Sequence, residues 1–234
     1  MSWLRNIFRK KLPAKGILLY GLQRSGTNYM ETLLQLNYPD GLLLNGTQRN
    51  EITHKHFRLY KEKEIIPEPQ FANTLLVPTL KDFEAALPFQ APDLYIIVSK
   101  DPYSWLGSYN KWSIKNNWPA HQHHYIMEYV LFYKMWMNYS REAKNILFVR
   151  YDDLLTDPAM VMKQIAQVVE WPELEKVQST NKVYASRRFN NEKKIAHLSG
   201  DQIKKINPQE LRQINEMLPE NLMEFMGYKK LMVN

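Results

Sequence analysis

Short apolar runs alternate with helical repeats along this chain, and turn residues between them mark where one element gives way to the next. Ile17 to Tyr20 read as a buried parallel strand, Gly21 and Gly26 frame a tight turn, and Met30, Leu33 and Leu34 recur at helical spacing behind it. Residues 16–29 are therefore a strand, a loop and the start of a helix. Leu94 to Val98 form the clearest buried strand, which ends in Ser-Lys-Asp-Pro with Pro102 opening another helix. Ile146 to Val149 give a further buried strand. Thr156 or Asp157 before Pro158 then starts a helix with Met160, Ile165, Val168 and Val169 on its apolar face. Between the first two runs, Asn37 to Arg49 is rich in turn residues and reads as a loop. Glu51 to Phe57 alternates, so that Ile52, His54 and His56 share one strand face with Lys55 opposite. Shorter helical patterns run from Thr79 to Leu87, from Asn207-Pro208 to Leu218, and from Leu222 to Tyr228.

A chain of 234 residues patterned this way suits a single large α/β domain spanning 1–234. Hydrophobic residues at 44% and charged residues at 24% are ordinary for a globular protein and argue against disorder. Two segments stand apart. Residues 1–15 are basic, with Trp3, Leu4, Ile7 and Phe8 beside Arg5, Arg9, Lys10 and Lys11. They read as a helix folded onto the body, with peripheral membrane contact as the lesser alternative. Residues 61–92 hold five prolines and read as a surface excursion of the kind that shapes an acceptor pocket. No stretch has the apolar length of a membrane span, and Met1 to Lys15 lacks the apolar centre of a secretion signal, so the expectation is a cytoplasmic protein. The absence of cysteine removes disulfides and thiolate metal sites, and the net charge of +7 favours anionic partners.

The loop after the first strand is where that charge acquires a chemical meaning. Backbone N–H groups at a helix start converge on an oxyanion with the helix dipole behind them, and Arg24, Ser25 and Thr27 add side-chain donors. The spacing Gly21-x4-Gly26 imitates a Walker A loop, yet Thr27-Asn28 stands where Lys-Ser or Lys-Thr belongs, which misplaces the phosphate lysine and the magnesium hydroxyl of an ATPase. Lys100 beside Asp101 would likewise compete with magnesium at the end of the 94–98 strand. His54 and His56 lack a third ligand of metal-site spacing, which leaves them better read as a general base than as a metal pair. From Tyr125 to Tyr139 the aromatics fall at helical spacing and read as core, whereas Trp112 to His124, a connector bearing His121, His123 and His124, reads as the lining of an acceptor cleft.

Arg24-Ser-Gly-Thr-Asn-Tyr29 resembles the 5′-phosphosulfate loop of the sulfotransferases. Three further matches follow in the family's order, and between the second and the third a basic stretch stands in place of the family's Arg-Lys-Gly flap. Lys100 and Ser108, eight apart, are similar to the basic residue and serine that hold the donor's 3′-phosphate. Val149-Arg-Tyr-Asp-Asp-Leu154 is similar to the Val-Arg-Tyr-Glu-Asp-Leu that follows a core strand. The basic stretch from Val183 to Lys194 stands where the family closes a basic loop over the 3′-phosphate, with Arg187 or Arg188 as its cation. Leu222-Met-Glu-Phe-Met-Gly-Tyr228 resembles the last helix. The resemblance implies a P-loop NTPase-like three-layer sandwich, a mostly parallel central sheet flanked by helices. It also implies transfer of a sulfuryl group from 3′-phosphoadenosine 5′-phosphosulfate to a hydroxyl or amine, without a metal.

On that resemblance the donor site comprises Arg24, Ser25, Gly26, Thr27, Asn28, Tyr29 as the adenine-stacking ring, Lys100, Ser108, Arg187 and Arg188. Arg24 also meets the charge on the leaving phosphate. The family's Lys/Thr/His segment maps on Glu51 to Phe57, with His56, nearer the strand's C-terminal end, chosen over His54 as the base and Lys55 assisting. Asp152 and Asp153 are expected to brace the site through hydrogen bonds. The expected acceptor is a small molecule or a carbohydrate, not a nucleic acid. The alternatives are a P-loop kinase or NTPase, and a non-catalytic nucleotide- or nucleic-acid-binding protein.

Overall fold

Four strands form one sheet: β1 (Gly16–Tyr20), β2 (Leu42–Leu43), β3 (Leu94–Ser99) and β4 (Ile146–Arg150). Their order is β2-β1-β3-β4 and every pairing is parallel. The computed structural model describes residues 15–47, 51–56, 79–117, 124–180, 191–200, 203 and 206–233. The basic segment up to residue 14, residues 61–78 of the proline-rich excursion, His121, His123, Arg187 and Arg188 lie outside the described residues. Helix α1 (Thr27–Asn37) follows β1, α2 (Leu80–Ala85) precedes β3, and α3 (Pro102–Lys115) and α4 (Ile126–Glu142) lie between β3 and β4. After β4 come α5 (Tyr151–Thr156), α6 (Pro158–Val168), α7 (Asn191–Leu198), α8 (Pro208–Met217) and α9 (Glu220–Met226).

Side chains alternate across a strand, so the continuous apolar runs of β1 and β3 require cover on both faces. Leu18, Tyr20, Tyr95 and Ile97 pack on one face with Trp105 of α3, Phe132 and Trp136 of α4, Ile214 of α8 and Met223 of α9. Ile17, Leu19, Leu94, Ile96 and Val98 pack on the other with Leu33 of α1, Leu154 of α5 and Ile165 of α6. The result is the expected three-layer α/β sandwich with a parallel sheet. Tyr129, Phe132, Tyr133, Trp136 and Tyr139 are all buried, so the aromatic run is core. Two of these tyrosines also fix the end of β3, Tyr129 Oη donating to Lys100 O at 2.8 Å and Tyr133 Oη to Val98 O at 2.9 Å.

Several helix starts follow the capping residues read in the sequence. Asp157 accepts from Met160 N at 2.9 Å, Asn207 from Glu210 N at 2.9 Å, and Thr79 from Asp82 N at 3.1 Å.

Four local expectations need correction. The 37–49 stretch, read as a loop, contains β2. Residues 51–56 are turns rather than a strand, with one parallel bridge between Gly46 and His54. Asn45 explains both. Its side-chain amide accepts from Leu19 N at 2.9 Å and donates to Leu19 O and Thr53 O at 3.0 Å each, so a side chain occupies the edge of β1 that a longer strand would have taken. The strand β4 is an edge strand in this sheet, with Val149 buried and Ile146, Leu147 and Phe148 only partly covered. The basic stretch from Val183, expected as a loop, ends in α7, whose His197 is bonded to Asp152 and lies 3.3 Å from Ser104.

Candidate active site

The strand order reverses between β1 and β3, which pair from Ile17↔Leu94 to Tyr20↔Ile97. Open α/β sheets offer a crevice at such a switch point, beyond the carboxyl ends of the strands. Two connections leave the sheet there, the 21–27 turn after β1 and Lys100-Asp101 after β3.

The turn is shaped for an anion. Gly26 occupies the N-cap of α1 at φ 107°, with no side-chain cap on the helix start. The head of α1 therefore presents backbone donors and the positive end of its dipole without a protein acceptor from a capping side chain. An ideal Cβ on Gly21 would fall 2.5 Å from Ser25 Oγ and 2.7 Å from Val98 O, so the turn closes only around a glycine. Trp105 Nε1 donates to Gln23 O at 3.0 Å and ties the turn to α3. Ser25 is fully buried, and its Oγ has no hydrogen-bond partner among the described residues. A buried hydroxyl without a partner carries a desolvation cost that a bound oxyanion would relieve. Arg24 holds φ 78°, and its guanidinium lies 5.2 Å from the centroid of the Trp112 ring.

Across the switch point, Lys100 is buried at 6% exposure and donates from Nζ to Ser108 Oγ at 2.9 Å. Ser108 Oγ in turn donates to Ser104 O at 2.9 Å. Burial first and the Arg24 charge second push the lysine down to about 8, with Asp101 and Asp152 pulling the other way. Asp101 caps α3 by accepting from Ser104 N at 2.9 Å, and burial pushes its carboxyl up to about 6. A buried ammonium next to a second cation, only partly offset by its acids, is short of negative charge. Phosphate or sulfate oxygens would supply it.

The 51–56 segment lies against the end of β1. Tyr20 Oη donates to Ile52 O at 2.7 Å and Gly21 N to Lys55 O at 3.1 Å. This sets the His56 ring by the turn, with both ring nitrogens 3.4 Å from Thr27 Oγ1 and Nδ1 3.4 Å from Gly21 O. His54 stands behind it, its Nδ1 accepting from His56 N at 3.2 Å. Lys55 forms an ion pair with Glu31 of α1, which fastens the segment to the helix.

After β4, Arg150 donates to Asp153 through Nε at 2.9 Å and Nη2 at 2.8 Å. Tyr151 lies over the turn: an ideal Cβ on Gly26 would meet its ring at 2.3 Å. The ring centroid is 5.6 Å from Lys100 Nζ. Asp152 Oδ1 accepts from His197 Nε2 at 2.7 Å.

Of the residues expected from the sequence, the structure thus gathers Arg24 to Thr27, Lys100, Ser108 and His56 at one switch point. Tyr29, expected to stack on an adenine, is 7% exposed and belongs to the core beneath α1, where burial raises its phenol. Asn28 is partly exposed in the first turn of α1. Sequence reasoning missed Tyr151, Trp105 and His197 as parts of the site. Their signals were weak: Tyr151 sits inside a recognised motif without an assigned role, while Trp105 and His197 act through tertiary contacts that no spacing announces. Among the described residues, no three His, Asp or Glu side chains are grouped to hold a metal, and no helix is long and apolar enough to cross a membrane.

Residues 109–214 match the sulfotransferase domain family. That match begins just after Ser108, so the 21–27 turn and Lys100 lie upstream of it and are known from geometry. The fold is similar to that of mouse sulfotransferase SULT7A1 complexed with PAP, with a TM-score of 0.50 at 11% identity over 88% of this chain and 83% of that one. No curated protein matches the sequence. The domain match covers residues 109–214, and the shared fold extends the likeness to a sulfotransferase over most of the chain.

Proposed function

We propose that the protein moves a sulfuryl group from 3′-phosphoadenosine 5′-phosphosulfate to a hydroxyl or amine of a small-molecule or carbohydrate acceptor in the cytoplasm, without a metal. The observation that supports this most is the Lys100–Ser108 hydrogen bond of 2.9 Å beside the glycine-framed turn, which gives two separate anion sites across one switch point. A mononucleotide triphosphate needs one continuous phosphate track. A donor with a 5′-phosphosulfate and a 3′-phosphate needs two.

The residues present fit that donor: the turn amides, Ser25 Oγ and Arg24 would hold the phosphosulfate, and Lys100 with Ser108 the 3′-phosphate. When bound, the donor supplies an electrophilic sulfuryl group. The protein's share is orientation, charge and one proton. Amides and the Arg24 guanidinium fixed in place stabilise charge that develops on a leaving phosphate oxygen. His56, beside Thr27 at the mouth of the turn, takes the acceptor's proton, the task that a neutral imidazole performs as a general base near neutral pH. Lys55, paired with Glu31, keeps the His56 segment in place.

The test is incubation with sulfur-labelled donor and a panel of phenol, alcohol, amine and carbohydrate acceptors, with and without chelator. Labelled product formed equally in both supports the reading. Turnover of ATP that requires magnesium, with no sulfated product, replaces it with a phosphotransferase.

A further inference from the structure

His197 makes three contacts at once. Its Nε2 donates to Asp152 Oδ1 at 2.7 Å, its Nδ1 lies 3.3 Å from Ser104 Oγ, and its ring meets Tyr151 edge to face with centroids 4.9 Å apart. The side chain is 6% exposed, although α7 leaves Ile195 and Leu198 in solvent at 65% and 43%. A short, polar helix thus buries a hydrogen-bonding ring and leaves aliphatic residues outside. Burial of apolar area alone would select the opposite orientation.

The contacts lead to both anion sites. Ser104 presents the carbonyl that accepts from Ser108, and Ser108 accepts from Lys100, so the place of Ser104 sets the place of that pair. Tyr151 fills the space over Gly26 and lies 5.6 Å from the Lys100 ammonium, so its ring borders the turn and the lysine together. Asp152 follows Tyr151 in the first turn of the same helix. We infer that His197 is a positioning residue that holds the 21–27 turn and the Lys100–Ser108 pair at a fixed mutual spacing, so that one ligand bearing two phosphates can span them. This rests on the donor reading above. The ring need not touch the donor. Its effect is on register, and a ligand that must satisfy two rigid sites is sensitive to misplacements of about 1 Å.

The experiment compares binding of 3′,5′-ADP and 5′-AMP by calorimetry in the wild type, His197→Phe, His197→Gln and Ser104→Ala, with the thermal midpoint of each ligand-free protein. His197→Phe keeps a ring against Tyr151 and loses both polar contacts. Its preference for 3′,5′-ADP should fall about tenfold, the scale of one charge-assisted hydrogen bond. His197→Gln, which retains an N–H for Asp152, should recover part of that preference. Ser104→Ala keeps the carbonyl that Ser108 uses and should lower the preference in the same direction. A role confined to holding α7 in place would lower the midpoint and leave the preference unchanged. A wild type that prefers 3′,5′-ADP, with the same preference in His197→Phe and Ser104→Ala, overturns this inference alone. A wild type without the preference overturns the donor reading, and the inference with it.

Discussion

An ideal Cβ on Gly26 would fall 2.3 Å from Tyr151 Cδ2, so the tyrosine ring occupies the volume that any side chain at the head of α1 would need. The same glycine has φ 107°, outside the range that L side chains adopt readily. Gly26→Ala therefore meets two costs. The backbone conformation alone contributes about 1–2 kcal/mol, and displacement of the ring adds to it. The thermal midpoint should drop by several degrees and 3′,5′-ADP affinity should fall as the turn opens. A variant with unchanged midpoint and affinity would show that the ring moves aside freely.

Lys100 and Ser108 should decide between nucleotides. Each charge-assisted contact to a phosphate contributes about 1.5–3 kcal/mol, so 3′,5′-ADP should bind at least about tenfold more tightly than 5′-AMP. Lys100→Met should erase that preference and leave 5′-AMP binding nearly intact. Equal affinities in the wild type, read by calorimetry, would remove both residues from the donor site.

The lowered lysine gives the binding a pH signature. With Lys100 titrating at about 8 in the free protein, it is charged below that pH and binds a phosphate dianion fully. Above pH 8 the free protein loses the proton that the complex retains, so affinity for 3′,5′-ADP should weaken as pH rises, approaching tenfold per unit, with proton uptake on binding. The Lys100→Met variant should show no such slope through that range.

Strands β1 and β3 were legible because each is buried on both faces and so reads as an unbroken apolar run. The switch point between them could not be read that way, since strand order is set by crossovers and not by periodicity. Lys100 and Ser108 were legible as a pair through the family resemblance, and the strand end and the helix beginning at Pro102 bring them together. The 51–56 segment misled: its alternation is real, but Asn45 already serves the edge of β1 where that strand would dock. His197 follows a polar, basic stretch, and nothing in its neighbours distinguishes a buried ring from a solvated one. Tyr29 fell at a motif position and on the buried face of α1 at once, and packing took precedence.

His56 stands by Thr27, while His54 supports it from behind. His56→Ala should retain 3′,5′-ADP affinity and lose roughly 100-fold or more in turnover, the range for a missing general base. His54→Ala should lose less, by loosening its neighbour. An inactive His54→Ala beside a nearly active His56→Ala, both folded and donor-binding, would exchange the roles.

Arg24 holds a left-handed backbone at φ 78° in the middle of the turn, where a glycine would rest without strain. Arginine there sacrifices thermal endurance for a cation in the right place. Replacing it should expose the trade: Arg24→Gly is expected to melt higher, by the equivalent of about 1 kcal/mol, while turning over far more slowly. A thermostability screen run without an activity readout would therefore select against the function at this position.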